Sequence, residues 1–350
     1  MKFYFSSMYI KEQIDTLDDL LEKISPNAIQ LHLDTNICIY LREFIREPSK
    51  TVSNVVLWEE LRNLLRVIEQ YDLEVDYSLG VEESCRDLGS FAVNEEKLSE
   101  TLLLLNKLFK MDFLQMLDHS KLIQFSDPVK DKTQRQTSKG NSLEQQSVFQ
   151  RLMYVSYACL LKLYQLYYLN SEMKNIDKMI FYLDFLANEV NLMSMSHIIY
   201  GHLLLSGHPK ARKLIHSDKK TVEHIFHSIW NASLDLTFPT LVSQKFVSDK
   251  MIPVFVTRDE VLWLIFDSMK MRFMITDGNK SAQPPFMEMN LSKTKWTSTE
   301  LRIINKYHMK IQRKRLYAFI NREESIETQI NKIKKLCFDL ENTLKASLCI

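Results

Sequence analysis

Most of the chain carries hydrophobic residues at the spacing of amphipathic helices. The clearest stripe lies in Ser53–Tyr71, where apolar residues recur every three or four positions. Leu98–Leu117, Val148–Tyr168 and Asp177–Tyr200 follow the same period. Proline and glycine are scarce in these stretches, so the pattern predicts a helix-rich protein.

Three short segments predict β-strands instead. Ala28–Leu33 alternates between apolar and polar residues and ends at a polar triplet. Leu73–Leu79 is the second segment, and Pro253–Val256 is the third. A few strands among many helices predict an α/β protein dominated by helices.

Two polar segments predict linkers, and two further helices follow the second one. Residues 126–147 contain little that is apolar, and residues 278–293 include Pro284-Pro285. The helices are predicted over Thr297–Ile320 and Glu323–Leu348.

The last predicted helix carries a hydrophobic seam of nearly three heptads. The seam consists of Ile326, Ile330, Ile333, Cys337, Leu340 and Leu344. An isolated amphipathic helix is marginal in water, so the seam needs an apolar partner. That partner is either a helix of the same chain, such as Thr297–Ile320, or a second copy in a homodimer. The short seam with a cysteine at a core position favours packing within the chain.

Composition changes this picture mainly by exclusion. Apolar residues make up 45% and charged residues 25% of the 350 residues, which is ordinary for a soluble protein. The formal net charge of +1 does not indicate nucleic-acid binding by the protein as a whole, so a nucleic acid would have to bind at a local basic patch. The six glycines never have the spacing of a GxGxxG or GxxxxGK[ST] loop, which excludes those phosphate cradles.

The five cysteines predict free thiols in a reducing compartment. They are odd in number and far apart, unlike a disulfide framework or a thiolate zinc site. The N-terminal residues do not match a signal peptide, and no apolar stretch reads as a membrane span. We therefore expect a cytoplasmic protein with no membrane partner.

Six of the nine histidines fall between His197 and His227. His224 and His227 have the spacing of one helix face and, with Glu223, are a candidate metal site. The HExxH pattern and cysteine partners are missing, which favours structural surface histidines.

Acidic residues stand out beside the predicted strands. Asp34 follows the first strand, Glu82 and Glu83 follow the second, and Asp259 follows the third. Asp235 is isolated among apolar and hydroxyl residues. Ligands bind off the carboxyl ends of strands in an open parallel sheet, so acids placed there converge. Oxygen ligands of this kind suit Mg²⁺ or Mn²⁺.

This ordered set of acids resembles the motifs of PIN-domain nucleases. Leu33-Asp34-Thr35-Asn36 looks like the opening motif, and Val256-Thr257-Arg258-Asp259 like the late T-x-D motif. Gly80-Val81-Glu82-Glu83 resembles the internal glutamate position, and Leu234-Asp235-Leu236 the third acid.

The resemblance covers about residues 25–90 and 220–278. It implies an α/β fold with a PIN-like parallel sheet core flanked by helices, formed by residues 1–90 and 220–278. Compact members of the family have no long helical stretch between the glutamate and the third acid. Here residues 91–219 would form a helical insertion, and residues 294–350 a C-terminal helical extension.

The resemblance also implies a metal-dependent endonuclease that hydrolyses phosphodiester bonds with Mg²⁺ or Mn²⁺. Its predicted catalytic residues are Asp34, Glu83, Asp235 and Asp259. The first three would bind metal, with Glu82 as the alternative to Glu83. Thr257 and Asn36 would support them. Family analogy alone suggests RNA rather than DNA as substrate and a toxin or defence role.

A basic helix late in the chain is a candidate nucleic-acid contact. Lys310, Arg313, Lys314 and Arg315 lie together on it and could neutralise several phosphates. A solvated helix face explains the same charges.

The same acids also have a purely structural interpretation. Acids at strand ends are common helix N-caps, and Asp34 ahead of Thr35 caps a helix without chemistry. The alternative function is a non-catalytic helical protein-interaction module on a PIN-like scaffold.

Overall fold

The computed structural model describes residues 2–86, 93–125, 143–216, 221–249, 251–273, 276–277, 280–281, 286–319 and 326–348. The chain forms two compact units, each built from two separate segments. The first unit comprises Met1–Arg135 and Phe238–Glu288, and the second comprises Gln136–Thr237 and Met289–Ile350.

Helices make up most of the described residues. In chain order they are α1 (Leu17–Leu21), α2 (Thr35–Arg46), α3 (Pro48–Ser53), α4 (Val55–Gln70), α5 (Ser78–Ser84), α6 (Glu95–Leu108), α7 (Phe113–His119), α8 (Leu143–Tyr164), α9 (Asn175–Asn188), α10 (Met195–Leu205), α11 (Val222–Asp249), α12 (Glu260–Asp267), α13 (Ser298–Phe319) and α14 (Ile326–Leu348). Short 3₁₀-helices cover Pro26–Ala28 and Ala211–Leu214, and a π-helix, Gln165–Leu169, continues α8.

The strands are short. They are β1 (Tyr4–Ser6), β2 (Ile29–Leu33), β3 (Glu74–Asp76), β4 (Ile252–Thr257), β5 (Met269–Phe273), β6 (Thr276–Asp277), β7 (Lys280–Ser281) and β8 (Phe286–Met289). The first four form one mixed sheet in the order β1-β4-β2-β3, while β5 pairs with β8 and β6 with β7.

The central strands of the first unit are parallel, and this confirms that two distant segments share one sheet. β2 pairs in parallel with both β3 and β4, and Leu33 lies opposite Val256. β1 runs antiparallel along the outer edge of β4. The sequence prediction missed β1, because three residues are too few to show an alternating pattern.

The second predicted strand is shorter than its pattern indicated. β3 ends at Asp76, whose Oδ1 accepts hydrogen bonds from the Ser78 amide at 2.9 Å and from the Ser78 hydroxyl at 2.5 Å. This turn starts α5 at Ser78, so the residues after the turn are helical rather than extended.

The core of the first unit lies between one face of the sheet and its covering helices. It includes fully buried side chains from β2, α2 and β4, among them Leu31, Phe44 and Val256. Leu105 of α6 and Met116 of α7 belong to the same core. Residues 93–119 are therefore part of the first unit.

Two predicted helices are broken by local hydrogen bonding. The pattern over Leu98–Leu117 divides into α6 and α7 at Asp112, whose Oδ1 accepts from the Gln115 amide at 2.8 Å. Gln115 Oε1 accepts in turn from the Asp112 amide at 3.1 Å, which completes a capping box. The pattern over Asp177–Tyr200 divides into α9 and α10, where Asn191 adopts a φ of 58°.

The C-terminal helices pack within the second unit. The seam residues Ile330, Ile333, Cys337, Leu340 and Leu344 are buried, and α14 packs mainly against α8. The Tyr157 hydroxyl of α8 donates to Glu341 of α14 at 2.8 Å.

The seam thus has a partner on its own chain, although not the one expected. α13 packs mainly against α9 instead of α14. Residues 143–216 of the predicted insertion and the predicted extension therefore contribute to one unit, in which residues 221–237 also take part. The side chain of Ile326 lies outside the described residues.

The structure tests the linker predictions only in part. Residues 126–142 lie outside the described residues, but α8 already begins at Leu143. The described part of 278–293 contains β7 and β8, because those residues pair with β6 and β5.

Two further expectations concern the described chain as a whole. Cys38, Cys85, Cys159 and Cys337 are free and buried, and Cys349 lies outside the described residues. Within the described ranges, no helix combines the length and the apolar character needed to cross a membrane.

Candidate active site

Asp34 lies where β2 and β4 end side by side. Its amide donates to the carbonyl of Val256 at 2.9 Å, which continues the pairing one residue beyond β2. Its side chain is 1% exposed and acts as the N-cap of α2. The aspartate is therefore held by a strand on one side and a helix on the other.

Both carboxylate oxygens of Asp34 have a partner. Oδ1 accepts from the Thr35 amide at 2.9 Å, and Oδ2 accepts from the Thr257 hydroxyl at 2.8 Å. Thr257 is fully buried at the end of β4, 223 positions along the chain. These bonds fix the carboxylate in one orientation.

The structure distinguishes the two adjacent glutamates of α5. The Thr35 hydroxyl donates to Glu83 Oε2 at 2.7 Å, so Glu83 lies beside Asp34. Glu82 instead forms a partly buried ion pair with Arg86. Of the two alternatives, the geometry brings Glu83 into the site.

Gly80 explains how α5 comes so close to the end of β2. A Cβ at this position would lie 2.6 Å from the carbonyl oxygen of Leu33 and 2.9 Å from Sγ of Cys38. These separations are shorter than real Cβ contacts, so only glycine permits the approach. Because Glu83 is one helical turn after Gly80, the same approach places Glu83 at Thr35.

Asp259 joins the site through Thr257. Its amide donates to Thr257 Oγ1 at 3.0 Å. Its own Oδ1 caps α12 by accepting from the amides of Val261 at 2.7 Å and Leu262 at 3.1 Å. Glu83, Thr35, Asp34, Thr257 and Asp259 thus form one hydrogen-bonded chain, which we call the carboxylate cluster.

Burial and mutual repulsion raise the pKa values of the acids in the cluster and so disfavour full ionisation. Burial raises the pKa of Asp34 to about 6, and the charge of Asp259 adds to the effect, while three hydrogen bonds oppose it. Burial and the Asp34 charge raise the pKa of Glu83 to about 8, against the Thr35 hydrogen bond and Arg86. Near neutral pH the pair therefore tends to retain a proton.

The donor set fits a hard divalent cation in part. Among the described residues, no group of three or more His, Cys, Asp or Glu side chains is placed to hold one ion. Mg²⁺ is usually bound through one or two carboxylates, waters and substrate phosphates. The oxygen-only pair of Asp34 and Glu83, with its unfavourable excess of negative charge, matches that pattern.

The remaining predicted site residues lie in different places. Asn36 is exposed in the first turn of α2, and its side-chain hydrogen bond lowers the pKa of Asp34. Asp235 lies on α11 in the second unit, so its role as third acid stays a prediction.

Asp76 and His32 were missed by the sequence prediction. Asp76 ends β3, and its Oδ2 lies 3.5 Å from Nδ1 of the buried His32 on β2. Burial is the main reason why the pKa of the nearby Cys38 thiol is raised, and the charges of Asp34, Glu83 and Asp76 raise it further. An acid at the end of a third parallel strand was the signal available in the sequence.

The histidine cluster of the second unit includes core residues, which corrects the expectation of surface histidines. His197 Nδ1 lies 2.7 Å from the Ser194 hydroxyl, and its Nε2 lies 2.8 Å from the Ser156 hydroxyl. Trp296 Nε1 donates to His202 Nδ1 at 3.0 Å. Burial lowers the pKa of both histidines to about 3, so they are neutral structural groups. No described residue group supports the His224, His227 and Glu223 metal site.

The predicted basic surface lies on α13. The side chains of Lys310 and Arg313 are exposed. Those of Lys314 and Arg315 lie outside the described residues. Nucleic-acid binding by this helix stays a prediction.

No protein-family model, no curated protein and no solved structure matches this chain. The resemblance to PIN-domain nucleases therefore rests on the sequence motifs and stays a prediction.

Proposed function

We propose that this protein is a metal-dependent endonuclease that hydrolyses phosphodiester bonds at the carboxylate cluster. The observation that carries the proposal is the hydrogen-bonded chain Glu83–Thr35–Asp34–Thr257–Asp259 at the carboxyl ends of two parallel strands. Ligand sites of open parallel sheets lie at this edge.

Each residue of the cluster has a distinct part in the proposal. Asp34 and Glu83 would hold Mg²⁺ or Mn²⁺, which when bound activates water and stabilises charge on the phosphate. Thr257 keeps Asp34 in one orientation, and Thr35 does the same for Glu83 Oε2. Asp259 fixes Thr257 and adds negative charge.

The substrate class follows from the same chemistry. A carboxylate pair completed by substrate phosphates suits a polyanionic chain, and the family resemblance favours RNA over DNA. The exposed Lys310 and Arg313 of α13, in the second unit, are separate candidate contacts for nucleic-acid phosphates. A toxin or defence role rests on the resemblance alone.

The first experiment compares purified wild-type protein with Asp34→Asn on labelled single-stranded RNA and DNA, with Mn²⁺ or with EDTA. Asn is as good an N-cap as Asp, so α2 keeps its cap. We expect Mn²⁺-dependent cleavage by the wild type. In Asp34→Asn the cleavage rate should fall at least about 100-fold, which corresponds to about 2.7 kcal/mol of lost transition-state stabilisation. Equal cleavage by the two proteins would contradict the assignment.

A non-catalytic interaction module is the second candidate. The observation in its favour is that Asp34 and Asp259 both cap helices, a role that needs no chemistry. Capping does not account for Glu83, which caps no helix and is held beside Asp34 despite repulsion. Absence of both cleavage and Mn²⁺-induced thermal stabilisation in the wild type would favour this candidate.

A further inference from the structure

Three tyrosines come together where α8 continues into the π-helix of the second unit. The ring centroids of Tyr164 and Tyr168 are 4.5 Å apart, and those of Tyr167 and Tyr168 are 4.8 Å apart. Tyr164 is buried, whereas Tyr167 and Tyr168 are partly exposed. π-Helical turns are rare and occur frequently at functional sites. Here the turn presents aromatic rings at the surface of the second unit.

A short segment of α10 and its following turn holds further side chains beside these rings. The ring planes of Tyr168 and His216 are 26° apart, and the Tyr168 hydroxyl lies 3.3 Å from His216 Nδ1. The 3₁₀-helix Ala211–Leu214 comes just before His216. The Tyr200 hydroxyl donates to the carbonyl of the buried Ala211 at 3.1 Å. This bond anchors the 3₁₀-helix in the core of the unit and so fixes its position near Tyr168.

The anchored segment is basic. Residues 207–216 contain Lys210, Arg212 and Lys213, which are all exposed, and no acidic residue. Burial and the neighbouring tyrosines raise the pKa of Tyr168 to about 12, and the charge of Arg212 opposes this rise. Exposed positive charge therefore lies close to the aromatic rings. The tyrosine–arginine surface, as we call it, consists of Tyr167, Tyr168, Arg212, Lys213 and His216.

The combination of rings and cations fits single-stranded nucleic acid. Proteins bind single strands through cations that contact the phosphates and aromatic side chains on which the bases stack. An acidic protein segment would use the cations alone and would leave the rings without a role. A duplex offers phosphates as well, but its bases already stack on one another. Among polyanions, the single strand is the one that uses both parts of the surface.

We propose that the tyrosine–arginine surface binds single-stranded nucleic acid. One base stacks on the partly exposed ring of Tyr167, which Tyr168 holds in place. The neighbouring phosphates contact Arg212 and Lys213, and the planar guanidinium offers two parallel N–H donors to phosphate oxygens. The inference goes beyond the proposed function, because it assigns a binding role to the second unit and requires no cleavage.

The test measures binding separately from cleavage. Fluorescence anisotropy follows a labelled single-stranded DNA 12-mer in EDTA at several salt concentrations, and Asp34→Asn is the parent protein. Tyr167→Leu should weaken binding about tenfold, a typical loss for one base–aromatic stack, whereas Tyr167→Phe should bind as the parent does. Arg212→Gln should lower the slope of log affinity against log salt by about 0.7, the value for one phosphate contact on a single strand.

An abasic probe tests stacking without depending on how a variant folds. A 12-mer of abasic sugars keeps the phosphates and offers no base, so the parent should bind it at least about tenfold more weakly than the DNA. Tyr167→Leu should cause no further loss with this probe. Two controls should change neither affinity nor slope. They are Phe338→Leu, which removes another exposed ring, and Arg62→Gln, which removes an arginine that pairs with Glu59 on α4.

The outcomes separate this inference from the proposed function. Equal affinity of the parent for the two probes would overturn it, as would unchanged binding in both Tyr167→Leu and Arg212→Gln. Competition by polyglutamate as effective as that by the unlabelled DNA would also overturn it and would indicate an acidic protein segment instead. Base-dependent binding that is lost in Tyr167→Leu would support the surface whether or not the wild type cleaves RNA.

Discussion

At the scale of single residues, two threonines control how three acids share a small space. Thr35 connects Glu83 with Asp34, and Thr257 connects Asp34 with Asp259. Each hydroxyl donates to a carboxylate and thereby stabilises its charged form, against burial and repulsion. The cluster is a strained arrangement that bound positive charge would relieve.

This strain predicts how stability depends on pH. The pKa of Glu83 is raised from its usual value near 4.5 to about 8, so the folded state holds the proton more tightly than the unfolded chain. The stabilising contribution is complete below about pH 4 and is lost as pH rises through 8. Urea unfolding in EDTA at pH 5.5 and 8.5 measures this loss. Between the two pH values the free energy of unfolding should fall by about 1–3 kcal/mol more in the wild type than in Glu83→Gln.

A divalent cation should reverse the loss. With Mn²⁺ present at pH 8.5, the wild type should regain stability and Glu83→Gln should regain much less. Glu59→Gln is the matched control, since Glu59 pairs with the exposed Arg62 on α4 and with no residue of the cluster, and it should respond as the wild type does. An equal response of all three proteins would count against a cation at Glu83.

Thr35 offers a second test at this scale. Thr35→Ser keeps the hydroxyl that donates to Glu83, while Thr35→Val keeps the shape and removes it. We expect Thr35→Val to lower the apparent affinity for Mn²⁺, measured by thermal stabilisation, about 10–100-fold. Groups that orient metal ligands contribute that much to metal affinity. Thr35→Ser should stay close to the wild type. Equal affinity in both variants would show that Thr35 does not orient the glutamate.

At the scale of elements, the close contact of α5 with the end of β2 decides whether Glu83 reaches the site. Gly80 makes the contact possible, since a Cβ there would meet the Leu33 carbonyl at 2.6 Å. The backbone of β2 cannot yield without disturbing its pairing with β3 and β4. The helix must yield instead and move Glu83 away.

Gly80→Ala should therefore act on both stability and metal binding. Overpacking of this kind costs about 1–3 kcal/mol, which differential scanning fluorimetry would detect as a lower melting temperature. Mn²⁺ stabilisation should fall as well, because Glu83 leaves Thr35. Ser84→Ala on the same helix removes a bond to the Val81 carbonyl and a 3.5 Å contact with Sγ of Cys85, and it should alter neither response. A fully stable Gly80→Ala with normal Mn²⁺ binding would refute the role of this contact.

The seam of α14 gives a prediction of a different kind. Ile333 is buried, whereas Phe338 on the same helix is 61% exposed. Ile333→Asp should unfold part of the second unit, because it places a charge in the interface with α8. Phe338→Asp is the matched control and should be tolerated. Circular dichroism melting with light scattering would decide, and a folded monomer derived from a wild-type dimer would instead indicate a seam between two chains.

At the scale of the whole molecule, the two units should respond to pH in opposite directions. His197 and His202 are neutral in the core of the second unit, with pKa values lowered to about 3. The unfolded chain binds protons on them below about pH 6.5, so this contribution to stability is lost as pH falls towards 3. The carboxylate cluster has the opposite effect, because it makes the first unit more stable at low pH than at high pH.

Hydrogen exchange in EDTA would resolve the two units. Between pH 8.5 and 5.5, after correction for intrinsic exchange, protection should increase in β2 and α5 and decrease in α10. His197→Asn should reduce the acid sensitivity of α10 and leave β2 unchanged. Parallel changes in both units would show that other groups dominate.

The local pattern was enough to predict, to within one residue, where β2 and β4 end and which acids follow them. Asp34 follows β2 directly, Asp259 follows β4 by two residues, and each caps the next helix. These features depend on neighbouring residues alone. The breaks in the long helices were missed, because capping by Asp112 competes with an apolar period that continues through it. Asp76 was missed because the predicted strand ran past it.

The sequence by itself determined the helix-rich character, the two central parallel strands and the identity of the acids at their ends, because side-chain period and capping are properties of adjacent residues. Only the tertiary structure decided that Glu83 and not Glu82 meets Asp34. That choice depends on how closely α5 can approach β2, which the missing side chain of Gly80 sets. It also decided that α14 packs on α8, since both helices offer apolar faces and only their spatial arrangement selects the pair.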